Sequence, residues 1–183
     1  MGITTRTVTY EEWLNLPVVE DAIEEVVNGE VRIMPPNKWK HTIIIENLSD
    51  ALKSQVDRKT VRVVASVFGL IIRKQPLTSR VPDLAVFLKK NIVEQDGYIH
   101  SAPELIVEVL SARNTRRVMT EKVSDYEAIG VPEFWIISPE ARTIEVLRLE
   151  EGKLRTMQVA TAGQLSPKHF PGVAVDVPAI WPD

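Results

Sequence analysis

The chain predicts an α/β or α+β fold, a mixed β-sheet with helices packed against it, on three observations. Short apolar stretches bounded by turn residues recur along it, as strands do. Two long segments instead carry apolar residues at helical spacing: Ile44, Ile45, Leu48, Ala51, Leu52 and Val56 in one, and Met119, Val123, Tyr126 and Ile129 in the other. The second helix lies between the strand-like runs ELIVEVL and EFWIIS, so residues from Glu104 to Ser138 predict a right-handed parallel strand, helix and strand unit.

The elements follow in order. Thr9 caps a short helix over YEEWLNLP, with Glu12 as its capping-box partner and Pro17 beyond its end. Asn28-Gly29 marks a two-residue hairpin inside EEVVNGEVRIMPP, which places Glu25 on the first strand. The helix from Trp39 to about Val56 carries His41 on its apolar face. VRVVASV, FGLIIRK and DLAVFLKK read as strands, with QPLTSRVP as a turn between the last two, and Asn91 to Ser101 as a polar loop. Gly130 and Pro132 end the helix that contains Lys122. EFWIIS and a hairpin about Glu151-Gly152 follow, and the Pro-rich tail packs as an irregular extension.

A chain of 183 residues with 44% hydrophobic content suits a single domain, 1–183, burying about 70% of the surface its unfolded chain exposes. There is no cysteine, so any metal is held by oxygen or imidazole nitrogen, which favours a hard cation such as magnesium or manganese. The start of the chain has no apolar core of signal-peptide length, and charges interrupt every apolar run. These features predict a cytoplasmic protein without a membrane span. A net charge of −3 argues against a surface coated in positive charge for non-specific nucleic-acid binding. Most basic residues, Arg80 among them, then read as solvated surface, and Trp13, Trp39, Trp135 and Trp181 as core or interface residues.

Two acids break this pattern. Asp83 in VPDLAVFL and Glu108 in ELIVEVL sit inside apolar strands, and Lys122 falls on the sheet-facing stripe of the next helix. An ionised carboxylate in such surroundings costs several kcal/mol unless a cation or hydrogen-bond donors compensate it. Periodicity leaves two accounts open. The acids hold a divalent metal that activates water against a phosphodiester, with Lys122 stabilising charge, or Lys122 pairs with Glu108 in a buried salt bridge while Asp83 caps a turn.

PDLAVF, APELIVEVLS, Lys122 with Tyr126, and GVPEFWIISP, in that order, resemble the Uma-two family of bacterial restriction endonucleases with the PD-(D/E)XK nuclease fold. The resemblance runs from about Thr9 to Val177. It implies a restriction-endonuclease-like mixed sheet flanked by helices, with an extra N-terminal hairpin and C-terminal strands. It also implies an endonuclease that hydrolyses DNA with Mg2+ or Mn2+, as a homodimer; the alternative is an inactive nucleic-acid-binding or interaction module on the same fold. By this resemblance Asp83 and Glu108 are catalytic acids and metal ligands, with Glu25 and the Val109 carbonyl completing the metal shell. The family's lysine two residues after the acid is Leu110 here, and Lys122 on the following helix takes its place. Val118 stands where relatives carry an acid, which favours the inactive module. His41 is a candidate for the phosphate or for proton transfer, and Ser111, Arg113, Arg116 and Arg117 are candidates for nucleic-acid contact.

Overall fold

The structure is a computed structural model that describes residues 7–17, 19–65, 67–111 and 116–182. In chain order its elements are α1 (Tyr10–Leu14), β1 (Ile23–Val27), β2 (Glu30–Met34), α2 (Trp39–Lys53), β3 (Val61–Val64), β4 (Leu70–Lys74), β5 (Leu77–Arg80), β6 (Leu84–Leu88), β7 (Glu94–Gln95) and β8 (Tyr98–Ile99). They continue with β9 (Leu105–Val109), α3 (Arg116–Ala128), β10 (Glu133–Ser138), β11 (Thr143–Glu150), β12 (Lys153–Ala160), β13 (Gln164–Leu165) and β14 (Val175–Asp176). The chain alternates between two compact units, the first drawn from Met1–Pro36, Val67–Val81 and Val93–Ser101, the second from Asn37–Ser66, Pro82–Ile92 and Ala102–Asp183.

The first unit is a sheet in the order β2-β1-β5-β4-β8-β7. Its opening helix is capped as the sequence predicts: Thr9 Oγ1 accepts from the Glu12 N–H at 3.1 Å, and Glu12 Oε2 accepts from the Thr9 N–H at 3.0 Å. Asn28 and Gly29 take φ of 53° and 82°, the left-handed conformation that a two-residue hairpin turn needs. Tyr10 and Trp13 bury themselves with Val26, Ile71 and Leu77.

Two stretches differ from expectation. QPLTSR is not a turn throughout: only Gln75 and Pro76 turn, and Leu77–Arg80 forms β5, buried at all four positions. The polar loop contains the short hairpin β7–β8, turning at Asp96 and Gly97 with φ of 55° and 83°. In the first case pairing with distant strands decides the conformation, because the local apolar pattern is weak; in the second the Asp96-Gly97 turn closes a hairpin of two-residue strands.

The second unit is a sheet in the order β12-β11-β10-β9-β6-β3. The predicted unit forms as expected: β9 and β10 run parallel, with Phe134 opposite Ile106 and Ile137 opposite Val109, joined through α3. The other neighbours in this sheet are antiparallel. Leu105, Val107 and Val109 of β9 share one apolar cluster with Leu84 and Val86 of β6 and with Ile44, Leu48 and Leu52 of α2. The alternation of a strand then turns Ile106 and Glu108 to the opposite face. There α3 packs, with the Tyr126 ring edge-on to Phe134 at 5.2 Å between centroids. The tail is more regular than predicted. It adds the β13–β14 pair and inserts Phe170, Val173, Val177 and Ile180 into the α2 side of the core.

Trp135 is fully buried and Trp13 nearly so, but Trp39 is 77% exposed, so of the core and interface readings the core one does not hold for it. It precedes the apolar stripe of α2, and the helical period does not bring it inward. Arg80 is likewise no surface residue, since it is wholly buried. Among the described residues, no helix is long and apolar enough to cross a membrane.

Burial, and then the Asp96 carboxylate that accepts its hydroxyl proton at 3.0 Å, push the Tyr10 phenol up to about 12. The folded chain therefore keeps a proton that the unfolded chain loses near the ordinary value of 10.0. This contribution to stability is complete below that pH and is lost as pH rises towards about 12. Denaturant titrations across this alkaline range should show a decline in stability that Tyr10→Phe reduces.

Candidate active site

All the elements of the site lie in the second unit. Asp83 stands between Pro82 and the first residue of β6, where the missing proline N–H allows a strand to begin. Its Oδ2 accepts from the Val109 N–H at 2.8 Å and lies 3.1 Å from His41 Nε2. The carboxylate is thus anchored to the end of β9, one residue beyond Glu108. Both bonds fall on Oδ2, and the Asp83 side chain retains 11% exposure. Among the described residues, no partner engages Oδ1.

His41 is buried on α2, where the sequence places it. An ionised carboxylate only accepts, so the hydrogen in this contact belongs to Nε2. Nδ1 is buried and has no hydrogen-bond partner among the described residues. The helix therefore holds the Asp83 carboxylate with one ring nitrogen and leaves the other uncommitted.

Glu108 is 1% exposed. Its two oxygens meet two donors from one helix: Lys122 Nζ lies 2.7 Å from Oε2, and Tyr126 OH donates to Oε1 at 2.5 Å. Lys122 and Tyr126 are four residues apart on α3 and so share the face turned to the sheet. A cation and a hydroxyl together satisfy a carboxylate whose burial would otherwise be strongly unfavourable. This is the ion pair that the sequence left open, and it gives Tyr126 a part that sequence reasoning missed. The available signal was its position one turn after Lys122.

Glu104, just before β9, is a second buried acid on the same stretch of chain. Its oxygens accept from the Leu88 N–H and from Asn91 Nδ2, both at 2.6 Å. Neutral donors satisfy it without a cation, so Glu104 has a structural duty, whereas Glu108 is matched to an ammonium.

The other sequence candidates are distributed as follows. Glu25 lies in the first unit, where Arg80 Nη1 meets its Oε2 at 2.9 Å and the Val81 N–H donates to its Oε1 at 3.2 Å. Ser111 is exposed just after β9. Arg113 lies outside the described residues, and Arg116 opens α3 with its side chain outside them. Arg117 is 85% exposed and pairs with Glu121 at 3.1 Å. Val118 is half-buried on α3. Among the described residues, no three or more His, Asp or Glu side chains gather as a metal cluster.

The oxygens at this strand end suit a hard cation in kind: a free Asp83 Oδ1, the Glu108 carboxylate and a backbone carbonyl at Val109.

Comparisons with known proteins agree with the resemblance read from the motifs. No curated protein matches the chain. A solved structure described as "a putative nuclease belonging to DUF820 from Anabaena variabilis ATCC 29413" is similar over 94% of this chain and 97% of that one, at 23% identity and a TM-score of 0.76. It shares the fold, a mixed α+β architecture. A family model covers residues 10–178, nearly all of the described chain, and on that match the protein belongs to the Uma2 family, described as "Putative restriction endonuclease".

Proposed function

We propose that this protein is a metal-dependent endonuclease that hydrolyses phosphodiester bonds in DNA in the cytoplasm. The observation that carries the reading is the tie between the acids: the Val109 N–H, next to Glu108, fixes the Asp83 carboxylate at the same strand end. Lys122 delivers its ammonium to that place from α3. These two bonds support the reading, in a family described as restriction endonucleases.

Asp83, Glu108 and the Val109 carbonyl would hold magnesium or manganese. When bound, such a cation supplies a water of lowered pKa and polarises the phosphate. The protein's own groups do the positioning. His41 orients Asp83 through Oδ2, which leaves Oδ1 for the cation. Tyr126 fixes the Glu108 carboxylate through Oε1. Lys122 is placed to release Glu108 and offer its ammonium to charge developing on the phosphoryl oxygens. Glu25 enters the reading only through the family resemblance, and its pairing with Arg80 gives it a structural duty as well. A homodimer would bring two such sites to two strands.

The second reading is an inactive nucleic-acid-binding module. The Lys122–Glu108 bond favours it, because a buried ion pair explains both residues without metal.

The readings differ in cleavage. With manganese, the purified protein should nick DNA, and Asp83→Asn or Glu108→Gln should reduce the rate by at least about a hundredfold; losing a charge-stabilising group costs that much. Equal rates in wild type and both variants, or no nicking by wild type, would leave the module reading standing. Stability gives a second test. Lys122→Met strands Glu108 and should cost about 3–5 kcal/mol in urea denaturation. Added Mg2+ should recover part of that loss if the carboxylates bind it, and none in Lys122→Met combined with Glu108→Gln.

A further inference from the structure

Trp39 opens α2 two residues before His41, and it is 77% exposed. An indole in water at the start of a helix is out of place for a core residue, and among the described residues it stays mostly uncovered. On either side of it, Lys38 and Lys40 are also exposed, and neither has an acidic partner among the described residues. The first turn of this helix contains no acid, and its N-cap, Lys38, makes no side-chain cap bond. The same turn sends His41 inward to Asp83.

We infer that Trp39, flanked by Lys38 and Lys40, is a stacking platform for an unpaired base of the nucleic acid whose backbone meets Asp83. The inference rests on the proposed phosphodiesterase reading and narrows its substrate to DNA that is single-stranded, or locally unpaired, beside the scissile bond. Three physical points lead there. An exposed aromatic face with a lysine on either side in sequence, in a first turn without an acid, suits a base stacked within an anionic backbone. A base can cover an indole face only when it has left its own stack. Finally, Trp39 and His41 are about 200° apart around a helix roughly 10–12 Å wide, so the platform serves a base about three stacked nucleotides from the phosphate.

The test measures binding independently of cleavage, with the full chain, chelator present and a short single-stranded DNA oligonucleotide as probe. Trp39 emission, obtained as the difference between wild type and Trp39→Phe, should be quenched on binding. Trp39→Ala should bind the oligonucleotide roughly tenfold or more weakly, in line with the strength of base stacking. Trp39→Phe should fall between, and a blunt duplex of the same sequence should be affected much less. Circular dichroism should show all variants folded, since the side chain is exposed. Binding without quenching, unchanged affinity in Trp39→Ala, or no binding of the oligonucleotide by wild type would overturn the inference. A shift in sedimentation of Trp39→Ala with unchanged affinity would overturn it too, by assigning the indole to contact between copies of the chain. Quenching in a protein that never nicks DNA would support the platform and refute only the nuclease.

Discussion

The structure turns on a single carboxylate, that of Glu108, held inside a sheet by one lysine and one tyrosine. A glutamate 1% exposed between Val107 and Val109 is tolerable only if its charge is met within hydrogen-bonding distance. That requirement fixes much around it. The helix after β9 must present Lys122 and Tyr126 on one face. It must also pack on the side of the sheet opposite α2, and the parallel return to β10 gives it that place. Tyr126 then serves twice, donating to Glu108 through its hydroxyl and packing its ring on Phe134.

The second acid is held by different means, and the contrast bears on chemistry. Asp83 is bonded through one oxygen only, to a backbone N–H and a histidine from α2. Glu108 is charge-paired through α3, and Asp83 is positioned by a backbone N–H and an imidazole. The metal reading proposed above would ask Asp83 for its second oxygen and Glu108 for a carboxylate that Lys122 now holds, so the observed salt bridge and the proposed metal site would be alternative states of the same residues.

Much of this was legible in the sequence because it is locally encoded. The Asn28-Gly29 turn, the capping box at Thr9 and the helical stripe of Lys122 all follow from short-range spacing, and each forms as read. Asp83 and Glu108 stood out because charge inside an apolar strand is costly. What could not be read depends on distant pairing. Leu77–Arg80 carries too little apolar pattern to announce a strand, and it becomes one between β1 and β4. Arg80 looked like surface charge because its partner, Glu25, is 55 residues away. Tyr126 was visible as a core aromatic, but its hydroxyl partner was not. Trp39 was not separable into core or interface because it stands at a helix end, between two lysines, where the apolar period has not yet begun.

Crystals grown with manganese and examined by anomalous scattering report on the carboxylates themselves and not on a coupled activity. An ion bound by Asp83 and Glu108 is expected, with Lys122 Nζ moved off Glu108 Oε2. Crystals saturated with manganese that show no ion there, and a Lys122–Glu108 bond still at 2.7 Å, would contradict it.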